Sequence, residues 1–204
     1  VILFRAYQYN QFFSDDAGSV QGHVLASLHA SETSIYRRYG FGLATDSIAA
    51  IVTPRAAKPW RVPATPGSMR LLDRHEVLDV VPPLYERVAR WRVGSISRPL
   101  WWWSRALKEA SRPTDAPFGK GSFVAVHTDA DGHDDGFVHY DVDWNESFAI
   151  NPVGNGKVRD LWGSSIEVEI ELWRYLTDID LIVHWEAEVR PDDEAGLYPR
   201  PPGL

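Results

Sequence analysis

Leu28-His29-Ala30-Ser31-Glu32-Thr33-Ser34-Ile35-Tyr36-Arg37-Arg38-Tyr39-Gly40-Phe41-Gly42-Leu43-Ala44-Thr45 is the stretch on which the reading of this chain turns. Residues 24–28 lead into it as a short apolar run of strand length, and residues 34–38 read as the start of a short helix or turn. Gly40-Phe41-Gly42 then supplies a break, and residues 47–52 read as another strand. About fifty residues with two or three strands cannot bury much surface alone, so this segment is expected to be part of a larger domain.

Working outward, Pro54, Pro59, Pro63 and Pro66 fall within residues 53–67, which excludes regular helix and suits an extended connector. A domain boundary is placed there, with residues 1–52 before the linker and residues 68–204 after it. Downstream, residues 69–72 form a short strand, and Asp73 with Glu76 three positions on makes a capping box that opens a helix. Pro82-Pro83 is expected to end that helix and start another through Trp91. Ser97-Arg98-Pro99 introduces a helix carrying Trp101-Trp102-Trp103 and Leu107. Residues 122–128 and 136–144 alternate apolar and polar side chains around an Asp/Gly-rich turn, the signature of a hairpin. A further strand is expected at 157–161. Ser164 or Ser165 caps a helix to Leu176 with Ile166, Ile170, Trp173 and Leu176 on one face, and residues 181–189 close the set as a strand. This order predicts an α+β fold, a sheet covered by helices.

The chain has 204 residues, 44% of them apolar and 24% charged, within the globular range. With no cysteine there is no disulfide framework, thiolate zinc site or cysteine nucleophile, and a cytoplasmic protein is expected. No apolar run approaches the ~20 residues of a membrane-spanning helix. Net charge is divided, about +6 over residues 1–120 and −13 over residues 121–204, and the acidic second half argues against nucleic-acid binding. Met69 is the only methionine and the chain opens on Val1, so the sequence is expected to be a piece of something longer.

The quoted stretch resembles, without gaps, the strand-turn-helix of the enhanced intracellular survival family of acetyltransferases in the GNAT superfamily, which reads approximately LHASEGGIYGRFGYGxAT. A weaker likeness continues through Leu84-Tyr85-Glu86-Arg87, the Trp-rich helix, the hairpin, Val158-Arg159-Asp160-Leu161 and Leu172-Trp173-Arg174-Tyr175-Leu176. The resemblance implies transfer of an acetyl group from acetyl-CoA to an amine, on a small polyamine or aminoglycoside-like acceptor. It implies two GNAT folds in tandem, residues 1–52 ending the catalytic one and 68–204 forming a second, non-catalytic one, in a homo-oligomer that is a hexamer in the family. Acetyl-CoA enters as a substrate and no metal is expected. The family's proton donor falls on Tyr36, and a phenol, with an ordinary pKa of ~10, keeps a proton to give to a departing thiolate. Ser31 and Glu32 match positions that contact acetyl-CoA, with His29 nearby. Arg37 stands where the family has glycine. Residues 1–28 carry no VxPxxRRxG-like pyrophosphate loop. The family's general base, a carboxylate at the end of a third domain, has no counterpart here.

Two other groupings invite a functional reading. His127, Asp129, Asp131, His133, Asp134, Asp135, His139, Asp141 and Asp143 crowd the hairpin, but Asp134 occupies the position of the turn glycine of a calcium loop and Tyr140 that of its glutamate, so a solvated acidic turn is expected. Three successive tryptophans are ~100° apart on a helix and cannot share one face. At least one is expected to be exposed or at an interface, and an aromatic wall for a cation stands beside core packing as the alternative. The leading expectation is thus an N-acetyltransferase, and its rival a non-catalytic binding or assembly module of the same fold.

Overall fold

A computed structural model describes residues 2–5, 25–28, 33–39, 41–43, 47–54, 63–92, 95–108, 110, 120–144 and 153–190. The chain divides into two compact units, Val1–Ile48 and Ala49–Leu204. In the first, β1 (Ile2–Arg5) lies at the centre of a three-stranded sheet between β2 (Leu25–Leu28) and β3 (Gly42–Leu43). Both pairings are antiparallel, Ile2 lying opposite Leu28 on one side and Leu43 on the other. Helix α1 (Thr33–Arg37) connects β2 to β3.

The second unit is a six-stranded sheet in the order β4-β9-β8-β7-β6-β5, formed by β4 (Ile48–Val52), β5 (Gly67–Leu71), β6 (Lys120–Asp129), β7 (Asp134–Trp144), β8 (Gly154–Gly163) and β9 (Ile182–Arg190). Residues 53–66 therefore join the two edge strands of one sheet. The Thr65 backbone N–H donates to Glu171 Oε1 at 2.8 Å.

Both faces of the sheet are covered, and the period-two alternation sorts side chains between them. Val124, Val126 and Phe137 face α2 (Val77–Val88) and α3 (Leu100–Ala106), whose Val81, Leu84, Tyr85 and Trp103 complete one core. Ala125, Val138 and Tyr140 face the other way, against Leu172, Trp173 and Leu176 of α4 (Ile166–Asp178) and Trp185 of β9. Gly156 admits the Trp185 ring there: a Cβ at residue 156 would stand 2.1 Å from it.

The hairpin, the Trp-rich helix and α4 form where the sequence places them. Ser165 is the N-cap of α4, its hydroxyl accepting from the Val168 N–H at 3.4 Å. Glu76 closes one arm of the expected capping box by accepting from the Asp73 N–H at 3.0 Å. Two expectations are corrected. Helix α2 does not end at Pro82-Pro83; both prolines lie inside it. Each removes one i→i−4 hydrogen bond, but Val77, Val81, Leu84, Tyr85 and Val88 all face the core together with Pro82, and their burial holds the helix continuous. On α4, Ile166 is 43% exposed, while Val168, Glu169 and Leu172 join Ile170, Trp173 and Leu176 inside. No helix among the described residues is long and apolar enough to cross a membrane.

Candidate active site

Tyr36 sits one residue before the end of α1. Its carbonyl accepts from two backbone N–H groups, Tyr39 at 3.0 Å and Phe41 at 3.3 Å, so the chain closes around it and returns into β3. Phe41 is buried and meets the Tyr36 ring edge-on, with centroids 5.9 Å apart at 77°. The ring is thus braced on one side and half-buried. No described residue hydrogen-bonds its hydroxyl. Arg37, the departure from the family glycine, is the last helical residue of α1 with its side chain exposed, and it is not among the positive-φ residues. Arginine therefore fits this turn without strain. Of the sequence candidates, Ser31, Glu32 and His29 lie outside the described residues.

The second unit repeats a strand–helix–strand arrangement in β8, α4 and β9. Strands β8 and β9 are parallel, and among the described residues their pairing runs from Gly154 opposite Ile182 to Val158 opposite Ala187. Beyond that point Arg190 reaches across, its Nη2 donating to the Leu161 carbonyl at 2.9 Å in a buried contact. The first turn of α4 carries Glu167 and Glu169. The Glu167 carboxyl is held below its ordinary range by hydrogen bonds from its own backbone N–H and from the Ser165 hydroxyl. Glu169 is buried and pairs with Arg92 at 2.7 Å. Two carboxylates at a helix N-terminus already occupy the positive end that would otherwise attract a pyrophosphate.

The aromatic wall holds a cation of the chain's own. Arg98 lies 4.0 Å from the Tyr85 ring centroid, 4.4 Å from that of Trp102 and 5.0 Å from that of Trp103. It also pairs with Asp160, whose other oxygen accepts from Trp162 Nε1 at 2.6 Å. Trp103 is buried, Trp102 half-buried and Trp101 69% exposed. Nothing in the spacing of the tryptophans pointed to Arg98 as their partner.

The hairpin carboxylates and histidines are committed locally rather than to one centre. Asp129 accepts from the Asp131 and His133 N–H groups across the turn, which holds its carboxyl below the ordinary range, the His133 bond contributing most. Asp135 pairs with His127 at 2.5 Å, Asp134 with Arg70 at 2.7 Å and Asp141 with Arg159 at 2.6 Å. Among the described residues no group of three or more His, Asp or Glu side chains is placed to hold a metal ion.

A family model described as an acetyltransferase (GNAT) domain matches residues 94–201. The chain belongs to the GNAT acetyltransferases. This GNAT chain is 35% identical over 187 residues to an uncharacterized N-acetyltransferase of Streptomyces avermitilis, covering 87% of the chain and 43% of that protein. It is 29% identical over 178 residues to the N-acetyltransferase Eis of Mycobacterium tuberculosis H37Ra, covering 84% and 40%. Among solved structures, Eis1 from Mycobacterium abscessus superposes with a TM-score of 0.64 at 32% identity, covering 83% of the chain and 40% of that structure. The GNAT chain thus spans about two-fifths of the length of these relatives.

Proposed function

We propose that the chain is part of an acetyl-CoA-dependent N-acetyltransferase of the enhanced intracellular survival type, that its acceptor is a small polycationic amine of the polyamine or aminoglycoside class, and that Tyr36 is the proton donor. The observation that carries this reading is the braced Tyr36 ring at the closed end of α1, its hydroxyl unengaged by any described residue, inside the stretch that resembles the family. Acetyl-CoA supplies the activated acyl thioester. The chain's part is to hold a proton on the Tyr36 oxygen and release it to the sulfur as the carbon–sulfur bond breaks and the amine nitrogen takes the acyl carbon; the proton lost by the amine goes to a base outside this stretch. Ser31 and Glu32 are the positions proposed to contact the thioester substrate.

The second unit is proposed to be non-catalytic. The acidic residues at the start of α4 do not suit an anionic thioester substrate, and the Arg190 guanidinium is taken up by the Leu161 carbonyl of β8, which supports the reading of residues 68–204 as a scaffold. The same observations favour the rival, a binding or assembly module, if the first unit also proves inert. A homo-oligomeric cytoplasmic protein is the setting proposed from the resemblance.

The parent protein extended at both ends, supplied with acetyl-CoA and the polyamine spermine or an aminoglycoside, is expected to release free thiol and acetylated amine in equal amounts. Thiol release without acetylated amine, or no turnover with any polycationic amine, would overturn the proposed activity.

A further inference from the structure

A cleft of about 780 Å³ in the second unit opens among β5, α2 and the turn between β6 and β7. Two guanidinium groups line it, Arg70 from β5 and Arg87 from α2, together with Ser68, Thr128, His133 and Asp134. Asp134 organises the group. Its Oδ2 accepts from Arg70 Nη2 at 2.7 Å, its Oδ1 accepts from the Thr128 hydroxyl at 2.8 Å, and its backbone carbonyl accepts from Arg87 Nη2 at 2.6 Å. Both carboxylate oxygens are therefore engaged with other groups.

Arg87 is held in place by a neutral carbonyl, and among the described residues no carboxylate forms an ion pair with it. A guanidinium carries five N–H donors, so most of those on Arg87 remain for another acceptor. The cleft thus concentrates two cations against one carboxylate in a chain whose formal net charge is −7. Exposed arginines are ordinarily well solvated and mobile; here both are tied to a single residue from two different elements, which orders them before any ligand arrives. The fork geometry of a guanidinium matches the oxygens of a carboxylate or phosphate.

We propose that this cleft binds a small molecule through an oxyanion group, a phosphate or carboxylate, gripped by Arg87 and Arg70. The site lies wholly within the second unit and does not depend on Tyr36 or on the acetyl-transfer reading.

The chain is titrated with inorganic phosphate, phenyl phosphate, benzoate and, as a neutral control, benzyl alcohol, following backbone amide resonances. Saturable shifts at residues 68, 70, 87, 128 and 134 are expected with phenyl phosphate or benzoate, and the tighter of the two identifies the group. Arg87→Gln is expected to weaken binding roughly tenfold or more. Arg105→Gln, at an exposed arginine on α3, is expected to leave it unchanged, with thermal melts showing both variants folded. Arg70→Gln provides a second variant at the other guanidinium and is also expected to weaken binding. Shifts that stay linear with concentration, equal binding of benzyl alcohol, or equal weakening by Arg87→Gln and Arg105→Gln would overturn the proposal.

Discussion

His139 lies 5% exposed on β7, with its Nε2 2.9 Å from the Ser122 hydroxyl on β6. Burial lowers its pKa from the ordinary 6.5, against the smaller raising effects of Asp141 and Asp160 and alongside a lowering effect of Arg159. In the unfolded chain the same imidazole titrates near ~6.5. Below that pH, and above the folded value, the unfolded state holds a proton that the folded state does not. Stability therefore falls as pH drops through ~6.5, with a slope of up to about 1.4 kcal/mol per pH unit, and His139 contributes no pH dependence above that window. His139→Gln keeps a polar group near Ser122 and removes the titration. Urea unfolding at pH 7.5 and 5.5 is expected to show the original chain losing more stability than the variant; parallel losses would contradict this. The candidate site shows the same limit on what a sequence conveys about single residues. Tyr36 is a candidate only through a family likeness, whereas its edge-on packing against Phe41 depends on the chain closing after α1. Arg98, Arg190 and Glu169 were not legible, because a charged side chain goes inside only when a partner distant in sequence meets it there.

At the scale of elements, the contact that joins α4 to the segment after α2 is an ion pair. Arg92 and Glu169, whose side chains are 11% and 1% exposed, meet at 2.7 Å, and Arg92 also lies over the Trp91 ring at 4.8 Å. Trp91 Nε1 adds a hydrogen bond to the Gly163 carbonyl at 2.6 Å. Arg92→Met takes an ion-pair partner from the buried Glu169 carboxylate and is expected to destabilise the fold by about 3–5 kcal/mol. Arg92→Met with Glu169→Leu is expected to recover most of that loss, as measured by urea unfolding in a double-mutant cycle. Strictly additive losses would show that the two groups do not depend on one another. The elements differ in how far the sequence announced them. Strict alternation marked β6, β7 and β9, and a serine cap marked α4. Helix α2 was misread at its prolines because the cost of two lost hydrogen bonds is local, while the burial that outweighs it comes from the sheet. Strand β1 left no clear signal, since four residues, Ile2–Arg5, gain their meaning only from β2 and β3 on either side.

For the whole molecule, the proline-rich stretch reads differently once the sheet order is known. Along the chain, residues 53–66 link β4 and β5, the two edge strands of one six-stranded sheet. The α+β class was legible because alternating and 3.6-periodic segments follow one another along the chain; the strand order was not, since it depends on pairings that the sequence does not encode locally. The two units also differ in what they offer to chemistry. The second fills its interior with its own arginine, tryptophans and acidic helix start, while the first presents Tyr36 from a short, closed helix. The proposed acetyl transfer therefore rests on one hydroxyl. In the parent protein extended at both ends, with saturating acetyl-CoA and a polyamine, kcat of Tyr36→Phe is expected to fall by about 10²–10⁴-fold with little change in the KM for acetyl-CoA, whereas an unchanged kcat would contradict the assignment of Tyr36 as proton donor.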